Sequence, residues 1–168
     1  MIIRFTKIFF AFIFILTVSS CERKNCTNVV CPAGQSCANG QCVCDNGYEG
    51  SDCQTLSYLK YTQLNSFTSE QCNTVPPFST SNVYITWDGT YAYQIRIHNL
   101  MGSNCFDVLA NIYTDSNNEG NQIQIPEQSC GGSSVSGQGT YDKVNRRLTL
   151  ELYYNAGGTP YTCTTYIQ

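Results

Sequence analysis

Arg146-Arg147-Leu148-Thr149-Leu150-Glu151-Leu152-Tyr153-Tyr154 is the stretch that decides the fold of this 168-residue chain. Leucine recurs at every second position with Thr149, Glu151 and Tyr153 between, and a period of two sends alternate side chains to opposite faces of an extended strand. Leu148, Leu150 and Leu152 therefore face a core while the residues between them face water, as in an antiparallel sheet wetted on one side. Outward from it, from about Leu56 onward, the chain runs in short alternating segments separated by Gly, Asn, Asp and Pro. No helical period outlasts a turn. Strands are expected at Ser57 to Leu64, Asn82 to Thr86, Thr90 to His98, Cys105 to Thr114, Asn121 to Gln128, Val135 to Asp142, Arg146 to Tyr154 and Tyr161 to Ile167. The fold class is thus mainly β: an antiparallel barrel or sandwich of about eight strands over residues 56–168.

Register can be read from the faces, because a slip of one residue moves an apolar row to the wrong side. Around Asp88-Gly89, a three-residue loop Trp87-Asp88-Gly89 with Gly89 left-handed pairs Ile85 with Tyr91 and Val83 with Tyr93. A loop centred on Asn117 and Asn118 pairs Ile112 with Ile123 and Ala110 with Ile125. The same register sets Cys105 across from Cys130, which predicts a disulfide clamping that hairpin.

The chain has 11 cysteines. Cys21 stands apart, at the end of a segment with Arg4 and Lys7 in a positive start, an apolar run from Ile8 to Leu16, and the small residues Ser19 and Ser20. This is a signal sequence over residues 1–20, shorter than the roughly 18 to 20 apolar residues needed to span a bilayer. Val18-Ser19-Ser20-Cys21 resembles the lipobox of bacterial lipoproteins. The resemblance implies cleavage before Cys21, acylation of that cysteine, and a lipidated tether over residues 21–25 that holds the protein on a membrane.

Without Cys21 the cysteines number an even ten, as a secreted disulfide framework requires. Six of them crowd into residues 26–53, ending in Cys42-Val43-Cys44-Asp45-Asn46-Gly47-Tyr48-Glu49-Gly50-Ser51-Asp52-Cys53. The spacing C-x4-C-x5-C-x4-C-x-C-x8-C, with Gly-aromatic-x-Gly before the last cysteine, resembles an EGF-like domain over residues 26–54. Spacing alone leaves 15 pairings open. The resemblance implies first to third, second to fourth and fifth to sixth: Cys26 with Cys37, Cys31 with Cys42, and Cys44 with Cys53. Many such domains bind calcium through an acidic segment before the first cysteine, but here Glu22-Arg23-Lys24-Asn25 puts one acid beside two cations, so no calcium site is expected. A zinc reading is weaker still, since structural zinc favours C-x2-C knuckles and a reducing compartment. In the β domain, elimination pairs Cys72 with Cys163 and ties its first segment to its last strand. A closed barrel, or a sandwich whose edges meet, allows such a bond.

Once Arg4 and Lys7 leave with the signal, seven Lys and Arg face 12 Asp and Glu. That acidic balance excludes nucleic acid as a partner. His98 is the only histidine and reads as a surface or loop-anchoring residue at a strand end. Asp107, Glu127 and Glu151 would need to converge for glycoside hydrolysis, yet Asp107 and Glu151 lie opposite their strands' apolar rows. No Gly-x-Ser-x-Gly elbow, phosphate loop or free nucleophilic cysteine is present, so no catalytic residue, cofactor or metal is assigned. Eleven of the 12 tyrosines follow the cysteine module, and their rings suit a glycan, peptide or amphiphile.

The order lipobox, EGF-like module, then a β domain with Ile125-Pro126-Glu127-Gln128, Gly137-Gln138-Gly139-Thr140-Tyr141 and Tyr161-Thr162-Cys163-Thr164-Thr165-Tyr166 resembles surface lipoproteins of Gram-negative bacteria with a small lipocalin-like or related β-barrel domain. The Gly-x-Trp that opens many lipocalins is missing. The resemblance implies an outer-membrane protein of the cell envelope, anchored through Cys21, that displays its β domain on an EGF-like stalk to a protein or glycan partner. Carriage of a small apolar ligand inside the barrel is the alternative, and an envelope hydrolase a third reading. An interior filled by Leu, Ile and Trp argues for display, and a void of several hundred Å³ for carriage.

Overall fold

The computed structural model describes residues 26–75, 80, 82–100 and 107–168. The signal segment, the tether with Cys21, the Glu22 to Asn25 stretch and Cys105 lie outside the described residues. Cys130 is disulfide-bonded.

The chain is mainly β. The cysteine-rich part forms two small antiparallel ribbons, β1 (Gln35–Ala38) with β2 (Gln41–Cys44) and β3 (Tyr48–Glu49) with β4 (Thr55–Leu56). Its bridges run Cys26–Cys37, Cys31–Cys42 and Cys44–Cys53. Few apolar groups are buried here, so the cross-links replace a core, each contributing about 2 to 4 kcal/mol. The second ribbon takes in Thr55 and Leu56, two residues past the last cysteine-rich segment.

A one-turn helix, α1 (Tyr58–Tyr61), follows where a strand is expected over Ser57 to Leu64. Tyr61 is fully buried and its hydroxyl donates to the Gly120 carbonyl at 2.7 Å, while Tyr58 stacks on Trp87 with centroids 5.3 Å apart. Tertiary packing of these two rings overrides their β propensity.

Eight strands form the large sheet: β5 (Phe67–Cys72), β6 (Tyr84–Trp87), β7 (Gln94–His98), β8 (Asp107–Tyr113), β9 (Gln122–Cys130), β10 (Ser133–Asp142), β11 (Arg147–Ala156) and β12 (Thr159–Ile167). They are antiparallel in the order β5-β12-β11-β10-β9-β8-β7-β6, a meander curled into a half-barrel with β5 added beside the last strand. β5 is absent from the expected strands. Cys72 lies directly across from Cys163 and is bridged to it, as elimination predicts. Glu70 on β5 gathers polar contacts from two sides: Thr165 on the neighbouring β12 donates to it at 2.9 Å, and the Thr80 hydroxyl lies 3.1 Å from Glu70 and 2.8 Å from the Leu100 carbonyl.

Ile112 pairs with Ile123 as expected. The β6–β7 register differs from expectation: Ile85 pairs with Ile97 and Trp87 with Ile95, so residues 88–93 form the loop. The core decides this. Ile85, Ile95 and Ile97 make one buried row, whereas placing Tyr91 and Tyr93 in the ladder would bring two phenols inward. Those rings stack on each other in the loop instead, 5.3 Å apart.

Pro126 interrupts the β8–β9 ladder because it has no N–H. The Gln128 side chain fills the gap: its Nε2 donates to the Leu109 carbonyl and its Oε1 accepts from the Leu109 N–H, both at 2.9 Å. In β10, Gly139 lies between Leu150 and Ile123, where a Cβ would come within 2.6 Å of a Leu150 methyl. The missing side chain lets large neighbours close over the middle of the sheet.

The cysteine module sits on one end of the half-barrel. Asn118 accepts from Cys44 N–H at 3.1 Å with its side chain and from Gly50 N–H at 3.0 Å with its carbonyl. Thr114 N–H donates to Asn46 Oδ1 at 3.1 Å, and Gly120 N–H to Glu49 Oε2 at 3.1 Å. Lys60 bridges the parts, 2.5 Å from Glu49 and 2.8 Å from the Asn121 side-chain oxygen. Burial lowers its pKa, and the Glu49 carboxylate opposes that shift.

Candidate binding surface

The interior of the half-barrel separates carriage from display. Ile95, Ile97, Val108, Ala110, Ile112, Leu148 and Leu150 have no accessible surface. A side chain with zero accessible area borders no space that admits a water, so no ligand chamber adjoins these residues. Trp87 is not part of this filling. It is 44% exposed at the end of β6, with its indole N–H donating to the Tyr91 carbonyl at 2.9 Å.

Three outer-face side chains on β6, β7 and β8 form a relay. His98 Nδ1 is 2.5 Å from Asp107 Oδ1, and His98 Nε2 is 2.8 Å from Thr86 Oγ1. Tyr84 stacks on the imidazole at 4.3 Å. Register explains the arrangement: His98 is directly across from Asp107 and from Tyr84, and Thr86 is one diagonal step away. The hydroxyl, imidazole and carboxylate order matches that of a hydrolytic triad, but Thr86 lies on a regular strand rather than a strained turn. It serves as a cross-strand ladder that pins the edge of the sheet. Asp107 and Glu151 stand on β8 and β11, three strand spacings or about 14 Å apart, too far for the carboxylate pair of glycoside hydrolysis. Glu151 accepts instead from Gln138 at 2.8 Å, and Glu127 is exposed on β9. Glu70, Cys72 and Cys163 also cluster, yet both sulfurs are consumed in a bridge and offer no thiolate to a metal.

The same outer face dips across β9, β10 and β11. One depression of about 340 Å³ is lined by Gln122, Gln138, Thr140, Thr149 and Glu151 over a floor of Ile123 and Gly139. Two more of about 270 Å³ adjoin it: one shares Gln122 and Gln138 and is walled by Tyr113, the other reaches Pro126 and Tyr153. Shared lining residues set the three side by side along β9 and β10, a row of depressions that makes up the trough. Its lining follows from alternation: Ile123 and Ile125 face the core, so Gln122 and Gln124 face out, opposite Thr140 and Gln138 across the ladder. The sequence carries this signal in Gln122-Ile123-Gln124-Ile125. It was legible only as an apolar row, because a polar row becomes a surface only when neighbouring strands are known.

No known protein family matches the chain, and no similar curated protein or solved structure was found.

Proposed function

We propose that this chain is a lipid-anchored, exported binding protein of the cell envelope, held through acylated Cys21 on the outer membrane of a Gram-negative bacterium, with an EGF-like module carrying a β domain that contacts a surface partner. One observation carries the reading: among the described residues the fully buried core side chains border no water-sized space, while the outer face offers adjoining depressions along β9 and β10. Exterior contact is thereby favoured over carriage of an apolar ligand, and the separated carboxylates speak against hydrolysis. The module's hydrogen bonds to residues 114–120 favour presenting both parts as one rigid unit.

Intact-mass and peptide mass spectrometry of protein extracted from membranes tests this. The expected N-terminal peptide begins at Cys21 and carries a diacylglycerol and an N-acyl chain, and antibody reaches the β domain on whole cells. A mature chain with unmodified Cys21 overturns the proposal, as does a co-purifying apolar ligand released only on unfolding.

A further inference from the structure

Taking the surface-binding reading as its premise, we propose that the trough across β9, β10 and β11 binds a neutral, linear oligosaccharide. From Gln122 to Glu127 it follows β9 over six residues, about 17 Å at strand rise, so it accepts a run of sugar rings rather than a single one. Gln122, Gln124 and Gln138 each present a carbonyl oxygen and an NH2 group, the combination that a sugar hydroxyl, itself donor and acceptor, can satisfy twice. Tyr113 and Tyr153 flank the trough at 38% and 55% exposure. Their flat faces suit the C–H side of a pyranose, and each hydroxyl gives the ring a polar tip.

Charge narrows the class. The lining holds no cation and two carboxylates, Glu127 and Glu151, so a phosphorylated, sulfated or uronate polymer would meet repulsion with nothing to offset it. A peptide is disfavoured for a different reason. The trough lies on the face of the sheet, where β10 is paired on both sides by β9 and β11, so an extended chain finds no free main-chain edge to join. All lining residues except Tyr113 stand on these three strands, which fixes their positions before binding and lowers the ordering cost.

The test uses the full acylated protein, solubilised in a polyoxyethylene detergent that carries no sugar. It is applied to immobilised neutral gluco-, manno-, galacto- and xylo-oligosaccharides of three to six units, with sulfated and uronate-containing chains as counter-probes. Wild type is expected to be retained on at least one neutral series, about tenfold more weakly as Tyr153→Ala or Gln124→Ala, and unchanged as Tyr91→Ala, an exposed ring outside the trough. All three side chains are at the surface, so equal melting temperatures separate lost binding from lost fold. Retention on acidic chains alone, no retention on any neutral series, or trough variants that bind like wild type would each overturn the inference. A blank array with Cys21 acylated and the chain exposed on cells sinks the oligosaccharide and leaves the surface reading standing. Unmodified Cys21 with retained neutral sugars does the reverse.

Discussion

Gly47 and Gly89 share a backbone conformation and differ in surroundings, which makes them a matched pair for testing whether the cysteine module is seated on the β domain. Their φ angles are +90° and +89°, so an alanine at either position takes a left-handed cost of about 1 to 2 kcal/mol. At Gly89 a new Cβ meets nothing within 4 Å, whereas at Gly47 it comes within 2.5 Å of the Ala92 carbonyl carbon and Tyr93 nitrogen. Those are main-chain atoms of the 88–93 loop and cannot swing aside. Overlap of this kind costs about 1 to 3 kcal/mol, so Gly47→Ala should lose about 2 to 5 kcal/mol in all. The loss is capped by undocking: lifting the module releases the contacts of Cys44, Asn46, Glu49 and Gly50 to the 114–120 loop, at about 1 kcal/mol net for each hydrogen bond. Urea unfolding followed by Trp87, the only tryptophan, and by far-UV circular dichroism gives both values under a two-state treatment. Equal losses for Gly47→Ala and Gly89→Ala would refute the docked arrangement, as would two separate transitions in the wild type.

Replacing Cys72 and Cys163 together by alanine opens a loop with a sequence separation of 91 and should lower stability by about 4 to 5 kcal/mol in the chain-entropy model, read as a fall in urea midpoint with a steeper slope from the less constrained unfolded chain. Leu150→Ala should lose about 2 to 5 kcal/mol, because Gly139 opposite has no side chain to collapse into the space; a loss under 1 kcal/mol would mean the core is looser than its zero accessibility implies. Tyr61→Phe strands the Gly120 carbonyl and should lose about 1 to 2 kcal/mol at neutral pH. Burial raises the Tyr61 phenol well above its ordinary value of 10.0, so its contribution is whole below pH 10 and is lost as the unfolded chain ionises above it. The gap between wild type and Tyr61→Phe should therefore narrow above pH 10. Lys60, lowered by burial, slopes the other way but is common to both proteins.

Where the sequence could be read, local alternation and the core agreed. In β11, Leu148, Leu150 and Leu152 alternate and are buried, and the rows of β8 and β9 meet in the expected register at Ile112 and Ile123. β5 shows the opposite case. Phe67-Thr68-Ser69-Glu70-Gln71-Cys72 has no apolar row to find, because what holds it is remote: Glu70 is bound by Thr165 and lies within reach of Thr80, and Cys72 is bonded to Cys163. A strand held by its ladder to β12, one carboxylate and one sulfur is visible only from its partner. The Ser57 to Leu64 segment carries residues that suit a strand, yet two tyrosines gain more by capping the barrel end as a helical turn. The 88–93 loop departs from the expected three-residue turn because a short-range rule for turns competes with a long-range one, and burying Ile95 and Ile97 beside Ile85 outweighs the gain of a tight hairpin. The trough follows the same logic. Each glutamine on β9 is an unremarkable outward residue of an alternating strand, and it acquires a chemical meaning only when β10 sets Gln138 and Thr140 beside it. Binding chemistry in this chain therefore resides in cross-strand adjacency, a property of the register. A substitution that shifted the β9–β10 ladder by one residue would erase the trough without changing any of its side chains.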